Sequence, residues 1–201
     1  MSGSPWLWLL AGPNGAGKST YARNLLANVE EIVGPDELAY QLSQDVPESA
    51  ALQAGRLAVR RRNELLEQRR SFAVETTLSG RRHLLLIERA RSEGWSIGVV
   101  YIGLGSPDLA IARVRERVSQ GGHDVPAADT RRRYQRGLGN LAIVYERADW
   151  LVVLDNSSVR NRMKRVLEVN KGTVVFRHRR LPKWLSAALR ASRQGRSKKT
   201  D

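Results

Sequence analysis

Residues Trp6–Thr20, WLWLLAGPNGAGKST, decide how the rest of the chain is read. Trp6 to Ala11 is apolar throughout and runs straight into glycine, the pattern of a strand buried on both faces. The next residues, Gly12-Pro13-Asn14-Gly15-Ala16-Gly17-Lys18-Ser19-Thr20, have the form G-x-x-x-x-G-K-[ST]. Glycines let the backbone take conformations closed to other residues, so that successive N–H groups turn inward as an anion nest. A helix opening at Lys18 adds its positive dipole end. Lys18 is then within reach of the β- and γ-phosphates, and the Ser19 hydroxyl, with waters, coordinates Mg²⁺. The bland alternative is a glycine-rich turn after a strand, but a chance match in a chain of this length is roughly a 1% event. Gly12, Asn14, Gly15, Ala16, Gly17, Lys18, Ser19 and Thr20 are therefore expected to hold ATP.

Downstream, helices and strands alternate. A helix is expected over 18–28, a short strand over Glu31–Gly34, and a helix from Pro47 to Arg70 with Ala50, Ala51, Ala54, Leu57, Ala58, Leu65 and Leu66 inward. Strands follow at 72–77, 95–104 and 150–154, separated by helices over 81–93, 107–120 and 127–147. Gly94 and Gly121-Gly122 stop two of these helices. Connections long enough for crossovers argue for an α/β fold with about five parallel strands. Two β-like runs around Asn170-Lys171-Gly172 suggest a hairpin with Gly172 at positive φ, then a helix from Pro182 to about Ala191. Residues 194–201 are expected to be a disordered tail. The organisation reads as a 1–159 core with a lid near 107–136, and a basic 160–193 hairpin-helix appendage.

The 201 residues suit one α/β domain, and 41% hydrophobic content is enough for a sizeable core. There are no cysteines, which removes disulfides, cysteine zinc sites and a thiol nucleophile. The apolar start is too short for a signal peptide or membrane span, so a soluble, cytoplasmic chain is expected. The net charge of +14 is uneven: residues 1–159 hold 20 Lys/Arg against 18 Asp/Glu, and residues 160–201 hold 14 against 2.

The spelling GPNGAGKST is also that of transporter-type ATPases, which need an LSGGQ signature and a strand ending in Asp-Glu. Leu78-Ser79-Gly80 and Leu84–Glu88 imitate these, but Arg81 replaces the second signature glycine and Arg89 follows Glu88. A kinase explains more residues. Phosphoryl transfer to a hydroxyl needs a base, a metal and cations on the moving charge. Asp36 follows the second strand at the sheet edge where ligands bind in open α/β folds, and is the candidate base as well as a helix N-cap. Glu75, near the end of an apolar strand, is expensive to bury alone, and is read as an acceptor or metal-water ligand; a salt bridge to an arginine is the alternative. Thr76 and Thr77 extend the same edge. The segment Arg113–Arg136, arginine-rich around Gly121-Gly122, is the candidate lid, with Arg117 and Arg132 singled out for phosphate and His123 as a donor.

GPNGAGKST, Asp36, FAVETTLSGR, SPDLAIARVRERVSQGGHDVP, RRRYQRGL and a strand ending in DNS together resemble the zeta-toxin-like P-loop kinases, in particular their small bacterial branch of predicted ATPases. The resemblance covers about residues 5–158. It implies ATP-dependent phosphorylation of UDP-N-acetylglucosamine and neutralisation by a small antitoxin that blocks the ATP site. It also implies Lys18 on phosphate, Asp36 as base, Glu75 and Thr76 facing the acceptor, and Arg117 in the lid. The family's second lid arginine falls near His123, so His123 or Arg132 would take that work. The basic end, with Phe176 and Trp184 among its cations, has three readings: a solvated hairpin and helix, a nucleic-acid patch, and a docking surface for an acidic antitoxin. A non-kinase P-loop ATPase, or a nucleic-acid-associated ATPase or polynucleotide kinase using the basic C-terminus, is the alternative function.

Overall fold

A computed structural model describes residues 3–25, 29, 31–34, 47–160 and 162–197, with the backbone alone described at 23–25, 47–52 and 191–197. Its strands are β1 (Trp6–Ala11), β2 (Ile32–Val33), β3 (Phe72–Thr76), β4 (Ser96–Gly103), β5 (Trp150–Asp155), β6 (Lys164–Asn170) and β7 (Thr173–Arg177). Its helices are α1 (Lys18–Leu25), α2 (Pro47–Glu67), α3 (Arg81–Ser92), α4 (Pro107–Ser119), α5 (Ala127–Arg147) and α6 (Lys183–Ser197).

One sheet orders the strands β2-β3-β1-β4-β5-β6-β7. The first five in that order are parallel, as the alternating pattern requires, and β6 and β7 add antiparallel. This is the kinase-type P-loop arrangement. From β1 the chain departs toward β3 on one side and β4 on the other, so the end of β1 is a topological switch point, where α/β sheets open a crevice.

Alternation along β1 divides the core. Leu7, Leu9 and Ala11 join Phe72, Val74, Ile97 and Val99 beneath α2, α3, α5 and α6, whereas Leu10 joins Val100, Ile102 and Leu154 against Ala22 of α1 and Ala110 of α4. The inner stripe of α2 runs through Ala54, Ala58, Leu65 and Leu66. Leu57, expected inward, is 38% exposed: its position lies about 100° round the helix from Ala58, outside the stripe that meets the sheet. Ala50 and Ala51 lie among the residues whose side chains are not described.

Several turns follow their sequence signals. Gly94 takes φ +78° while Trp95 N–H reaches back to Ala90 O, closing α3. Lys171 and Gly172 both have positive φ between the paired residues Asn170 and Thr173, which gives the two-residue hairpin loop. Ser106 caps α4 by accepting from Leu109 N–H at 3.1 Å, with Pro107 just inside.

The C-terminal region shares the main core. β6 pairs with β5, and Trp184 and Leu185 belong to the same buried cluster as Leu7 and Phe72. Trp184 lies 5.9 Å from Tyr101 between ring centroids, over a glycine (Gly103) where a Cβ would fall 2.1 Å from its ring. α6 also runs past the expected end at Ala191 to Ser197, so the start of the expected tail is helical. Arg and Gln propagate a helix well, and the cost of Gly195, about 1 kcal/mol, does not stop it. No helix among the described residues is long and apolar enough to cross a membrane.

Candidate functional site

The loop after β1 begins hydrogen bonded to β3, Gly12 N–H donating to Thr76 O at 3.2 Å. Gly12, Gly15 and Gly17 have φ of +144°, +72° and +87°. Their lack of side chains is also used. A Cβ on Gly12 would fall 2.2 Å from Ile102 O, and one on Gly15 would fall 2.9 Å from Arg113 Cβ and from Ala110 O. The loop is thus wedged between β4 and the first turns of α4.

At the mouth of the loop three side chains converge. Lys18, 8% exposed, donates from Nζ to Pro13 O at 3.1 Å and stands 3.8 Å from Glu75 Oε1. Ser19 Oγ donates to Glu75, 3.3 and 3.5 Å from its two oxygens. Leu10 pairs with Glu75 across the β1–β3 ladder, which is why a carboxylate near the end of β3 arrives over the loop. Thr20 is exposed, and Ala16 and Asn14 are buried.

Asn156, directly after β5, clamps the loop from the other side. Its Nδ2 donates to Ala16 O at 2.9 Å and its Oδ1 accepts from Met163 N–H at 3.3 Å. Asp155 beside it accepts from Ser157 Oγ and, at 3.2 Å, from Trp184 Nε1. The charge of Asp155 and burial push the Tyr134 phenol up to about 12, desolvation being the larger cause, so Tyr134 stays a neutral donor to Leu104 O at 2.7 Å.

β3 ends in a shaped turn. Thr76 Oγ1 accepts from Leu78 N–H at 2.9 Å and meets His83 Nδ1 at 3.1 Å. Leu78 takes φ +56°, and its carbonyl accepts from Asn140 Nδ2 at 2.7 Å. Gly137 brings α5 so close that a Cβ there would lie 2.7 Å from Thr77 O. Desolvation, then the Arg62 and Arg82 charges, lowers the His83 pKa to about 4, so the ring is neutral near pH 7. The tautomer of that neutral ring decides which of the two, the Thr76 hydroxyl or Nδ1, is the donor.

The candidate residues fall into distinct places. Lys18, Ser19, Glu75 and Thr76 stand together at the C-terminal edge of the sheet. Arg117 is partly buried in α4 and donates from Nη2 to His123 O at 2.5 Å across the Gly121-Gly122 turn. Arg132 is 53% exposed and pairs with Asp129 of its own helix at 2.9 Å. The His123 side chain is exposed. Asp36 lies outside the described residues. Arg113, Asn156 and His83 were not singled out from the sequence. Arg113 carried a signal, since it sits one turn before Arg117 on the same face of α4; the other two act through contacts distant in sequence.

The loop passes two tests for a nucleotide. Its three glycines form a cradle that any Cβ would obstruct, and the buried Asn14 Oδ1 within it lacks a partner among the described residues. The transporter-type imitation fails, because Leu84–Glu88 lies within α3 rather than in a strand and Glu88 pairs with Arg147.

Comparisons with known proteins agree with this geometry. An uncharacterized Haemophilus influenzae protein is 31% identical over 123 residues, covering 61% of this chain and 88% of that protein. Among solved structures, a chain of the AvrRxo1-ORF1:-ORF2 complex with ATP superposes with a TM-score of 0.66 at 17% identity, over 85% of this chain. This chain spans only 60% of the length of that one. A chain of the PezAT chromosomal toxin-antitoxin system of Streptococcus pneumoniae gives 0.63 at 15% identity, over 96% of this chain and 85% of that one. At these identities the likeness is one of fold. A family model described as an AAA domain matches residues 7–137, from the strand before the phosphate loop to the middle of α5, and the chain belongs to that family.

Proposed function

We propose that this protein is a kinase that moves the γ-phosphoryl group of ATP to a hydroxyl of a small molecule. The observation that carries the reading is the meeting of Lys18, Ser19 and Glu75 at the switch point of the sheet. An ATPase needs the loop, but a carboxylate brought from the neighbouring strand to within 3.5 Å of the loop hydroxyl also fits a second substrate on the β3 side.

In this reading the inward N–H groups of the loop and the Lys18 ammonium bind the β- and γ-phosphates. The residues that would hold Mg²⁺ are Ser19, directly, and Glu75 through water, which suits the hard oxygen donors this ion takes; when bound, Mg²⁺ neutralises charge on the transferred group. The acceptor oxygen bonds to the γ-phosphorus as the bond to the β-phosphate oxygen breaks, and the hydroxyl proton passes to Asp36, leaving ADP and a phosphorylated acceptor. Thr76 and the Thr76–Leu78 turn border the acceptor side. Arg113, whose Cβ approaches the loop at Gly15, and Arg117, one turn further along α4, would supply cations as the lid closes, whereas Arg132 and His123 would need to turn inward to take part.

Resemblance to the zeta-toxin-like kinases supports a UDP-N-acetyl sugar as acceptor, a small antitoxin as partner and the cytoplasm as the place of action. The decisive experiment is incubation with [γ-³²P]ATP and Mg²⁺ against UDP-sugars, nucleosides and 5′-hydroxyl oligonucleotides. Label on a small molecule supports the kinase. Label on the oligonucleotide replaces it with a polynucleotide kinase using the basic C-terminus, and ATP hydrolysis with no labelled acceptor replaces it with an ATPase.

A further inference from the structure

α2 enters β3 from below, and α3 leaves β3 at the top, so both helices run opposite to the strands and parallel to one another. Arg89 Nη1 donates to Asn63 Oδ1 at 3.0 Å, fixing the two side by side. Both N-termini therefore open on the same edge as the phosphate loop. Where the two helices run side by side lies a group of cations that the phosphate loop does not use.

Arg62 is partly buried and folds back along α2, its Nε donating to Ala58 O at 3.1 Å, which carries the guanidinium toward that edge. Arg82 and His83 stand in the first turn of α3, where no acidic residue balances the helix dipole. His83 is tied to Thr76 at 3.1 Å, so the group adjoins the end of β3. Neither Arg62 nor Arg82 has a carboxylate partner among the described residues. Elsewhere on α2 and α3 the contrast is plain: Arg61 is held by Glu31 and Glu64, and Arg89 by Glu93. Both guanidinium charges act on His83, Arg62 is itself partly desolvated, and among the described residues no carboxylate neutralises either of them.

We propose that the edge beside Thr76, where α2 and α3 run side by side, binds an anionic group of the phosphoryl acceptor through Arg62 and Arg82, with His83 fixing the Thr76 hydroxyl at its border. This rests on the kinase reading for the word acceptor, though the anion site itself does not. The acceptor is then a molecule bearing a phosphate or carboxylate near the hydroxyl that is phosphorylated; neutral sugars and free nucleosides are poor substrates. Arg supplies the planar, doubly donating head that such anions match.

The test uses the full-length protein with its phosphate loop saturated by a non-hydrolysable ATP analogue and Mg²⁺. The chain has only three histidines, so the His83 ring signals are assigned by their loss in His83→Gln. Inorganic phosphate and acetate are titrated in separate arms, separating phosphate-bearing from carboxylate-bearing acceptors. The expected result is a saturable shift of the His83 signals by one of the two, with His123 and His178 unmoved. Arg62→Gln should weaken that binding roughly tenfold (about 1.4 kcal/mol). Arg82→Gln, at an exposed position that folding does not need, should do likewise. With a turned-over acceptor, both variants should raise its KM and leave the KM for ATP unchanged. His83 signals that ignore both anions, or that respond equally in wild type and both variants, overturn the site. Absence of label transfer beside an intact His83 response removes the kinase and leaves the anion site; transfer beside silent His83 signals does the reverse.

Discussion

Replacing Trp184 with alanine tests whether the C-terminal helix is part of the folding unit. Trp184 is 6% exposed, faces Tyr101, covers Gly103 and donates its indole N–H to Asp155 at 3.2 Å. Truncating a buried tryptophan to alanine costs about 3–5 kcal/mol, because Gly103 offers no side chain to fill the space left behind. At least about 1 kcal/mol of this belongs to the indole hydrogen bond, which Trp184→Phe removes together with part of the ring while keeping an aromatic ring over Gly103. With a urea m-value of about 2.5 kcal/mol/M, the alanine variant should unfold about 1.2–2 M earlier than wild type and the phenylalanine variant at least about 0.4 M earlier. The assay is equilibrium urea unfolding followed by far-ultraviolet circular dichroism, since the substitution removes one of the five tryptophans and so changes the fluorescence signal itself. An unchanged midpoint would refute the reasoning. A separate early transition would show α6 melting by itself, against its place in the shared core.

Four further outcomes follow from the site. Lys18→Ala should abolish ATP turnover, because it removes the cation at the mouth of the phosphate loop, and the fold should persist; wild-type turnover would remove the phosphate loop from the chemistry. Asp36→Asn keeps shape and capping but cannot take a proton, so transfer should fall roughly 10²–10⁴-fold with ATP affinity little changed. The folded-state pKa of His83 lies near 4, below the ordinary 6.5, so stability is complete above pH 6.5 and is lost as pH falls toward 4. That loss is at most about 3.4 kcal/mol at 1.36 kcal/mol per pH unit, and His83→Gln should flatten it in a urea series across this range. Trimming the chain after Ala191 leaves Trp184, Leu185 and Ala188 in place and should barely alter small-acceptor turnover; turnover that needs nucleic acid and vanishes with the tail would favour the polynucleotide reading.

What the sequence disclosed follows from local physics. The β1 strand and its glycine loop are legible because an unbroken apolar run and a fixed glycine spacing each have a single structural use. Helix α5 matches its expected bounds, since Pro126 opens it and an apolar period runs to Arg147. The hairpin was readable from Lys171-Gly172. Strand order was not, because crossover connections place β3 and β4 on either side of β1 without leaving any mark in their own residues. Trp184 sits in a stretch so rich in cations that its burial is hidden; the evidence lies 81 residues away, in the missing side chain of Gly103. His83 escaped for the same reason as Asn156: each is defined by one partner across the fold, Thr76 or Ala16, and a single polar residue in a helix or loop carries no periodic signal.

The close approach of Gly15 to Arg113 bears on how the lid can move. α4 is pinned to the loop at Ala110 and Arg113, and α5 is pinned at Tyr134, Gly137 and Asn140 to β4 and the β3 turn. Neither helix can therefore swing as a rigid arm from Pro107. Motion is confined to the stretch between the two pins, about two turns of helix on either side of the Gly121-Gly122 corner. Amide hydrogen exchange would register this as a fast island over roughly residues 115–132 set between two slow helical stems, and the stems would stay slow whichever nucleotide is bound.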